Sequence, residues 1–186
     1  MRGSRLSAPA RGLLLAAAVA VALGGALVAR QLAAQPPAAS PTPIVVGGSP
    51  LLNQPAPDIS GRDLSGRTIN LAQYRGRPVI VNFWASWCIP CRTEFPLFRQ
   101  ARAMHADKGL EIIGVIYQDT PDAAAEFMRS QGAQWPAVVD SGTAARAYTV
   151  LAPPVSFYVD RGGVVRAVSY GPPPEDVFDK QLSLIL

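Results

Sequence analysis

The sequence is poor in the residues that most often build reactive or metal-binding centres. Among 186 residues there are two cysteines and one histidine. A zinc site needs four ligands, supplied as a second C-x-x-C or as paired histidines, and here His105 would stand alone beside Cys88 and Cys91. No resident metal and no cofactor is expected. Acidic residues are also missing from the first 57 positions, the first being Asp58. Arg2, Arg5, Arg11 and Arg30 therefore carry the excess of the 17 basic over the 13 acidic residues, and from Asp58 onward 13 basic residues balance 13 acidic ones. The net charge of +4 belongs to the N-terminal end rather than to a nucleic-acid-binding face. Internal repeats are absent too, and the length suits one domain with a real core plus an attachment.

What the N-terminal end does contain is an uncharged run of 18 residues, Gly12–Ala29, behind three arginines. That is about the minimum for a spanning helix and longer than the core of a cleavable signal. Residues 1–30 read as a signal anchor, with a cleaved signal as the alternative. The absence of cysteine there excludes thiol-linked lipid. More arginines before the run than after it keep the N-terminus cytoplasmic, which places the rest outside the cytoplasm on a single-pass anchor in the cell membrane. Residues 31–52, rich in Pro and Ala, read as a semi-extended linker, and residues 53–186 as the globular domain.

Within that domain, short strands are expected at 58–60 and 68–70 around a turn at 63–66, followed by a helical turn at 71–74. The run RPVIVNFWA at 77–85 reads as a strand buried on both faces. A helix follows from Pro90 to about Lys108, closed by Gly109. Next come a buried strand at 110–117, a helix from Thr120–Pro121 to about Gly132 and a short strand at 137–140. A small helix at 143–147, a hairpin of 155–159 with 164–170, and a closing helix at 175–186 complete the domain. Alternation followed by a terminal hairpin and helix indicates an α/β domain, a mixed sheet flanked by helices.

Where the buried strand hands over to the helix, Cys88 is expected among the first residues of that helix, with Cys91 on the same side of its first turn. Unpaired N–H groups and the positive end of the helix dipole stabilise a thiolate there, and the thiolate is the attacking species. Two intervening residues bring Cys91 within reach of a mixed disulfide formed at Cys88. A structural disulfide over so short a loop would remove only on the order of 2 kcal/mol of unfolded-state entropy. A reversible dithiol is the better fit.

The segment VIVNFWASWCIPCRTEFP closely resembles the active-site segment of the TlpA/ResA/DsbE group of membrane-anchored, thioredoxin-like thiol–disulfide oxidoreductases. The likeness continues through GVIYQD at 114–119, PVSFYVD at 154–160 and the terminal helix. The resemblance implies a thioredoxin-like fold with an N-terminal β-hairpin and a central αβ insertion. It also implies that Cys88 is the exposed nucleophile, that Cys91 resolves, and that the two form a redox-active disulfide. Pro154 matches the proline preceded by a cis bond beside the cysteines. Glu94 matches an acidic residue that could accept the proton of Cys91, or else is simply an early-helix acid favoured by the dipole. Trp84 and Trp87 match the aromatic pair, Trp84 in the core and Trp87 beside the sulfur.

Two departures stand out. Cytosolic thioredoxins have a buried aspartate where this chain has Asn82, which cannot take a proton. Pro153 replaces a residue whose backbone would pair with substrate, and proline has no N–H to donate. GVIYQD looks like the cytochrome c maturation branch, where Tyr117 and Asp119 would help shape the substrate face; a plain strand end followed by an early helix acid is the alternative. The expected partners are protein dithiols and disulfides, with apocytochrome c leading, and a membrane thiol-electron transporter as reductant. A general envelope exchange protein is the alternative. A peroxiredoxin-type peroxidase would need a hydroxyl at Ala85, and a copper carrier would need a histidine after His105.

Overall fold

The computed structural model describes residues 48–186. The expected anchor at 1–30 and the linker as far as residue 47 lie outside them. Among the described residues no helix is long and apolar enough to cross a membrane.

The domain opens with an antiparallel hairpin of β1 (Ser60–Arg62) and β2 (Thr68–Asn70). Its first strand sits two residues later than the composition suggests. Asp63 explains the shift: its carboxylate accepts from the backbone N–H groups of Ser65 and Arg67 and from the Arg67 guanidinium. The turn therefore closes directly after Arg62, and the ladder forms against it. A helical turn at Leu71–Tyr74 follows, capped by Asn70.

The central sheet has five strands in the order β5-β4-β3-β6-β7. These are β3 (Val79–Trp84), β4 (Glu111–Ile116), β5 (Ala137–Val139), β6 (Val155–Val159) and β7 (Val165–Tyr170). The first three are mutually parallel, and β6 and β7 run antiparallel. Every residue of β3 is buried, which follows from its central position and dense β-branched and aromatic content. Both sheet edges are covered. Leu64 N–H donates to Ala137 O on the β5 side, and Asn53 N–H donates to Val165 O on the β7 side.

Among the described residues four α-helices flank the sheet: α1 (Cys91–Met104), α2 (Pro121–Ser130), α3 (Thr143–Ala147) and α4 (Glu175–Ser183). α1 is shorter at both ends than the sequence suggests. It ends at His105, whose φ of −115° leaves helical geometry, and Gly109 at φ +74° closes the turn beyond it. α2 begins as expected, with Thr120 Oγ1 accepting from Ala123 N–H and Pro121 in the first turn.

The sheet divides the core into two apolar clusters. One joins Ile80, Trp84, Ile112, Ile116 and Tyr158 to α1, α2 and α4. The other joins Val81, Phe83, Val115 and Phe157 to α3, Tyr148 and the hairpin side. Alternation along each strand sorts side chains between the two faces. The mixed sheet between helical layers, with α2 and β5 inserted between its halves, is the arrangement the resemblance implies.

Candidate active site

The parallel strands β3 and β4 end side by side, and the loops that follow them meet the loop leading into β6. Open α/β sheets offer their binding crevice at such carboxyl ends. Cys88 lies in the loop after β3, and it is joined to Cys91 by a disulfide with Cα atoms 5.4 Å apart. Here the structure corrects the sequence reading: α1 starts at Cys91, so Cys88 precedes the helix rather than opening it. One turn bridges the gap, with Arg92 N–H bonded to Ile89 O and Thr93 N–H to Pro90 O.

The helix terminus nevertheless reaches the sulfur. Cys91 N–H donates to Cys88 Sγ at 3.2 Å, one of the N–H groups the first turn leaves without an intrahelical partner. A donor there favours the thiolate of Cys88 once the disulfide opens. Neither sulfur is widely exposed in the oxidised form: Cys88 is 3% accessible and Cys91 fully buried. The exposed nucleophile of the sequence reading is thus a nearly covered one here, although access still ranks Cys88 above Cys91.

Three residues on from Cys91, one turn along the same face of α1, is Glu94. It is fully buried. Burial disfavours its charge and raises its pKa to about 8, with a hydrogen bond from Asn82 opposing the shift. Asn82 Nδ2 donates to Glu94 Oε1 at 2.7 Å and to Ser156 Oγ at 3.0 Å. The sequence marked Asn82 only as a residue unable to take a proton. The structure makes it the partner of the carboxyl that can.

Register explains this meeting. Asn82 lies opposite Ser156 on β6, and Ser156 lies opposite Ser169 on β7. These polar residues form a row beneath α1 and α4, and at its far end Ser169 Oγ donates to Gln181 Oε1 at 2.8 Å. Ser156 and Ser169 were missed as functional candidates, though a serine amid the β-branched and aromatic residues of a buried strand is itself a signal. On the other side of Asn82 stands Gly114. A Cβ there would come within 2.6 Å of Trp84 Nε1 and 3.1 Å of the Ala137 side chain, so only glycine fits.

The remaining predicted residues lie at the end of β3, on the loops that follow β3 and β4, and on the loop leading into β6. Trp87 is exposed, and its indole N–H donates to Gln118 O at 3.2 Å. Asp119 uses Oδ2 to accept from Ser86 N–H at 2.6 Å and Oδ1 to accept from Thr120 N–H at 2.8 Å. It thereby fastens the cysteine loop to the start of α2. Tyr117 is buried, and its hydroxyl donates to Leu151 O at 2.8 Å. The Pro153–Pro154 bond is cis. Leu151, which the sequence did not single out, is 90% exposed in the same loop. Trp84 is fully buried, stacked 5.0 Å from Phe127.

A disulfide at a helix start, with a buried carboxyl one turn behind it, can exchange two electrons and a proton with another thiol pair. The comparisons point the same way. Residues 52–168 match the model of the AhpC/TSA family. The chain is 32% identical over 131 residues to thiol-disulfide oxidoreductase ResA of Bacillus subtilis, covering 70% of this chain and 73% of that protein. It is also 32% identical over 115 residues to ResA of Bacillus thuringiensis, covering 61% of this chain and 66% of that one. The match thus spans about two thirds of the length of such relatives. The structure of a putative thiol:disulfide interchange protein DsbE from Chlorobium tepidum superposes with a TM-score of 0.66 at 31% identity, over 71% of this chain and 95% of that one. With the fold, the paired cysteines and these relatives in agreement, the chain belongs to the AhpC/TSA family, as a thioredoxin-fold thiol–disulfide oxidoreductase of the ResA/DsbE type.

Proposed function

We propose that the domain works outside the cytoplasm as a reductase of protein disulfides, with Cys88 attacking, Cys91 resolving and Glu94 accepting the proton of Cys91. The observation that carries this reading is the buried carboxyl of Glu94 one helical turn behind the cysteine pair. Burial raises its pKa to about 8, so it exchanges a proton close to neutral pH.

In the reduced protein the Cys88 thiolate attacks a substrate disulfide. A mixed disulfide forms, and one substrate thiolate leaves. Cys91 then passes its proton to the Glu94 carboxylate as its sulfur attacks Cys88. The Cys88–Cys91 bond forms, the Cys88–substrate bond breaks, and the second substrate sulfur leaves as a thiolate. Two electrons move from the protein dithiol to the substrate, and a membrane thiol-electron transporter restores them.

Trp87, Ile89 and Leu151 supply exposed apolar surface on the loops around the pair. That surface suits an unfolded segment carrying a cysteine better than it suits a small polar thiol. The dithiol motif of apocytochrome c is the substrate class the GVIYQD likeness favours. Pro153 offers such a segment a carbonyl acceptor and no donor, with Pro154 beside it. The uncharged run Gly12–Ala29 holds the domain at the outer face of the membrane.

Trapping with Cys91→Ser in cells, followed by identification of the disulfide-linked partner, tests the reading. Recovery of an apocytochrome supports it. A broad set of envelope proteins would make the domain a general exchange protein instead, and consumption of hydrogen peroxide by the purified domain would make it a peroxidase.

A further inference from the structure

β3 is apolar along its length except at Asn82, which lies fully buried at its middle. Burying a primary amide is costly unless its groups are paired, and Asn82 leaves Oδ1 without a partner among the described residues. Its Nδ2 group, by contrast, is fully used. One hydrogen goes to Glu94 Oε1 at 2.7 Å and the other to Ser156 Oγ at 3.0 Å. Ser156 is itself fully buried, and it faces Asn82 directly across the β3–β6 ladder. In this arrangement the hydroxyl accepts from the same end of the amide that reaches the carboxyl. Glu94 in turn is left with one oxygen engaged and the other, Oε2, buried and unpaired among the described residues.

We propose that Asn82 and Ser156 are positioning residues for the proton step: Ser156 orients the amide, the amide N–H holds Glu94 Oε1, and Oε2 is thereby left as the oxygen that takes the proton of Cys91. The inference rests on the reading of Glu94 as proton acceptor. An N–H donor favours the ionised carboxyl, so the pair keeps Glu94 able to accept a proton despite its burial. A residue that could only accept hydrogen bonds at position 82 would hold Glu94 neutral and unable to act. An apolar one would leave the ionised form with no donor at all. The other titratable groups facing Glu94 are Cys91 on its own helix and Tyr158 from β6. Burial raises the Tyr158 pKa and the Glu94 charge raises it further, so Tyr158 stays neutral. No charged side chain contributes to holding the Glu94 proton.

The test follows two readouts against pH. One is the carboxyl stretch of Glu94 by infrared difference against Glu94→Gln in the oxidised protein, which reports its protonation without any thiol chemistry. The other is the rate at which a preformed mixed disulfide at Cys88 is resolved. Ser156→Ala frees the amide to turn, and both midpoints should move up together, by roughly three- to tenfold in proton affinity. Ser156→Thr restores the hydroxyl and should return both to the parent values, which a purely structural role for Ser156 would not require. Asn82→Asp should move both further upward, because two adjacent carboxyls share a proton.

The proposal is overturned if Ser156→Ala, folded by near-ultraviolet circular dichroism, keeps the parent infrared midpoint. It is equally overturned if that midpoint moves and the resolution profile does not follow. Should Asn82→Asp fail to fold, the two Ser156 variants decide alone. If Glu94→Gln leaves the resolution profile unchanged, it is the proton-acceptor reading that fails, while the infrared midpoints still decide whether Asn82 and Ser156 hold the carboxyl.

Discussion

The same strands build the two faces of the central sheet, yet the faces differ in kind. On the face toward α3, the strand positions Val79, Val81, Phe83, Ile113, Val115, Val155, Phe157 and Val159 are all apolar and buried. On the face toward α1 and α4, Asn82, Ser156 and Ser169 interrupt the apolar side chains, and Glu94 and Gln181 are buried over them. A core built for stability alone has no reason to bury a carboxyl with one unpaired oxygen. The difference shows that this domain keeps its cohesion on one face and gives up some of it on the other, where the cysteines are. Residues of the first face should therefore set stability without setting chemistry, and the polar residues of the second should set chemistry.

The sharpest break of that contrast is at the sulfur. Cys88→Ser should abolish reduction of a protein disulfide altogether while leaving the fold intact, as read by a disulfide reduction assay beside circular dichroism. Cys91→Ser should retain the first attack and accumulate the mixed disulfide, visible on non-reducing gels. On the opposite face, Phe157 packs 4.8 Å from the Tyr148 ring and 5.9 Å from that of Phe83, centroid to centroid. Phe157→Ala removes most of that packing and should cost about 3–5 kcal/mol in denaturant unfolding. The exchange rate per folded molecule should not change. A variant that lost rate and kept stability would erase the distinction between the faces.

Glu94→Gln probes the second face by its pH dependence. The folded-state pKa of Glu94 is raised from 4.5 to about 8 by burial. Between those values the folded protein holds a proton that the unfolded chain has released, so stability falls as pH rises through this window. The upper limit of the loss is ~5 kcal/mol. In the oxidised Glu94→Gln variant that slope should vanish, and the variant should gain on the parent progressively from pH 5 to pH 9 in urea titrations. The same variant should slow resolution, because the side chain at this position can no longer accept the proton of Cys91. A parent stability curve that is flat across this range would mean that Glu94 is not held neutral.

Most of the strand and helix order was legible because period-2 and helical apolar patterns are local. The misplacements were local as well, and each has a cause that pattern reading does not weigh. Asp63 draws the hairpin toward its turn through its hydrogen bonds from Ser65 and Arg67, and one extra turn separates Cys88 from the start of α1. What the sequence could not show is register. Nothing in a linear reading says that Asn82, Ser156 and Ser169, drawn from three distant segments, fall in one row under Glu94. Asp119 was read as part of a substrate face, and the structure gives both its oxygens to backbone N–H groups, one of them in the cysteine loop. Leu151 escaped notice because a lone leucine in a loop carries no pattern, and only its 90% exposure makes it visible.

The smallest expected effect tests a loop that joins the two faces. Tyr148 and Val150 are anchored in the apolar cluster on the α3 side, with the Tyr148 hydroxyl donating to Pro57 O at 2.7 Å. The chain then runs through Leu151, whose carbonyl Tyr117 holds, to Pro153 and Pro154 beside the cysteine end of the sheet. Anchoring on one face thus fixes the course of this loop on the other. Pro153 has no N–H, so a substrate strand laid along the edge of this loop can donate to its carbonyl and receives nothing back. Pro153→Ala restores one donor. One net hydrogen bond is worth about 0.5–1.5 kcal/mol, so in the Cys91→Ser background non-covalent capture of a cysteine-containing peptide should tighten about two- to tenfold. Binding measured with a serine-substituted peptide, which cannot form the disulfide, isolates that contribution. Unchanged affinity would mean that substrate does not pair with this edge, and that the docking surface is confined to the apolar side chains of Trp87, Ile89 and Leu151.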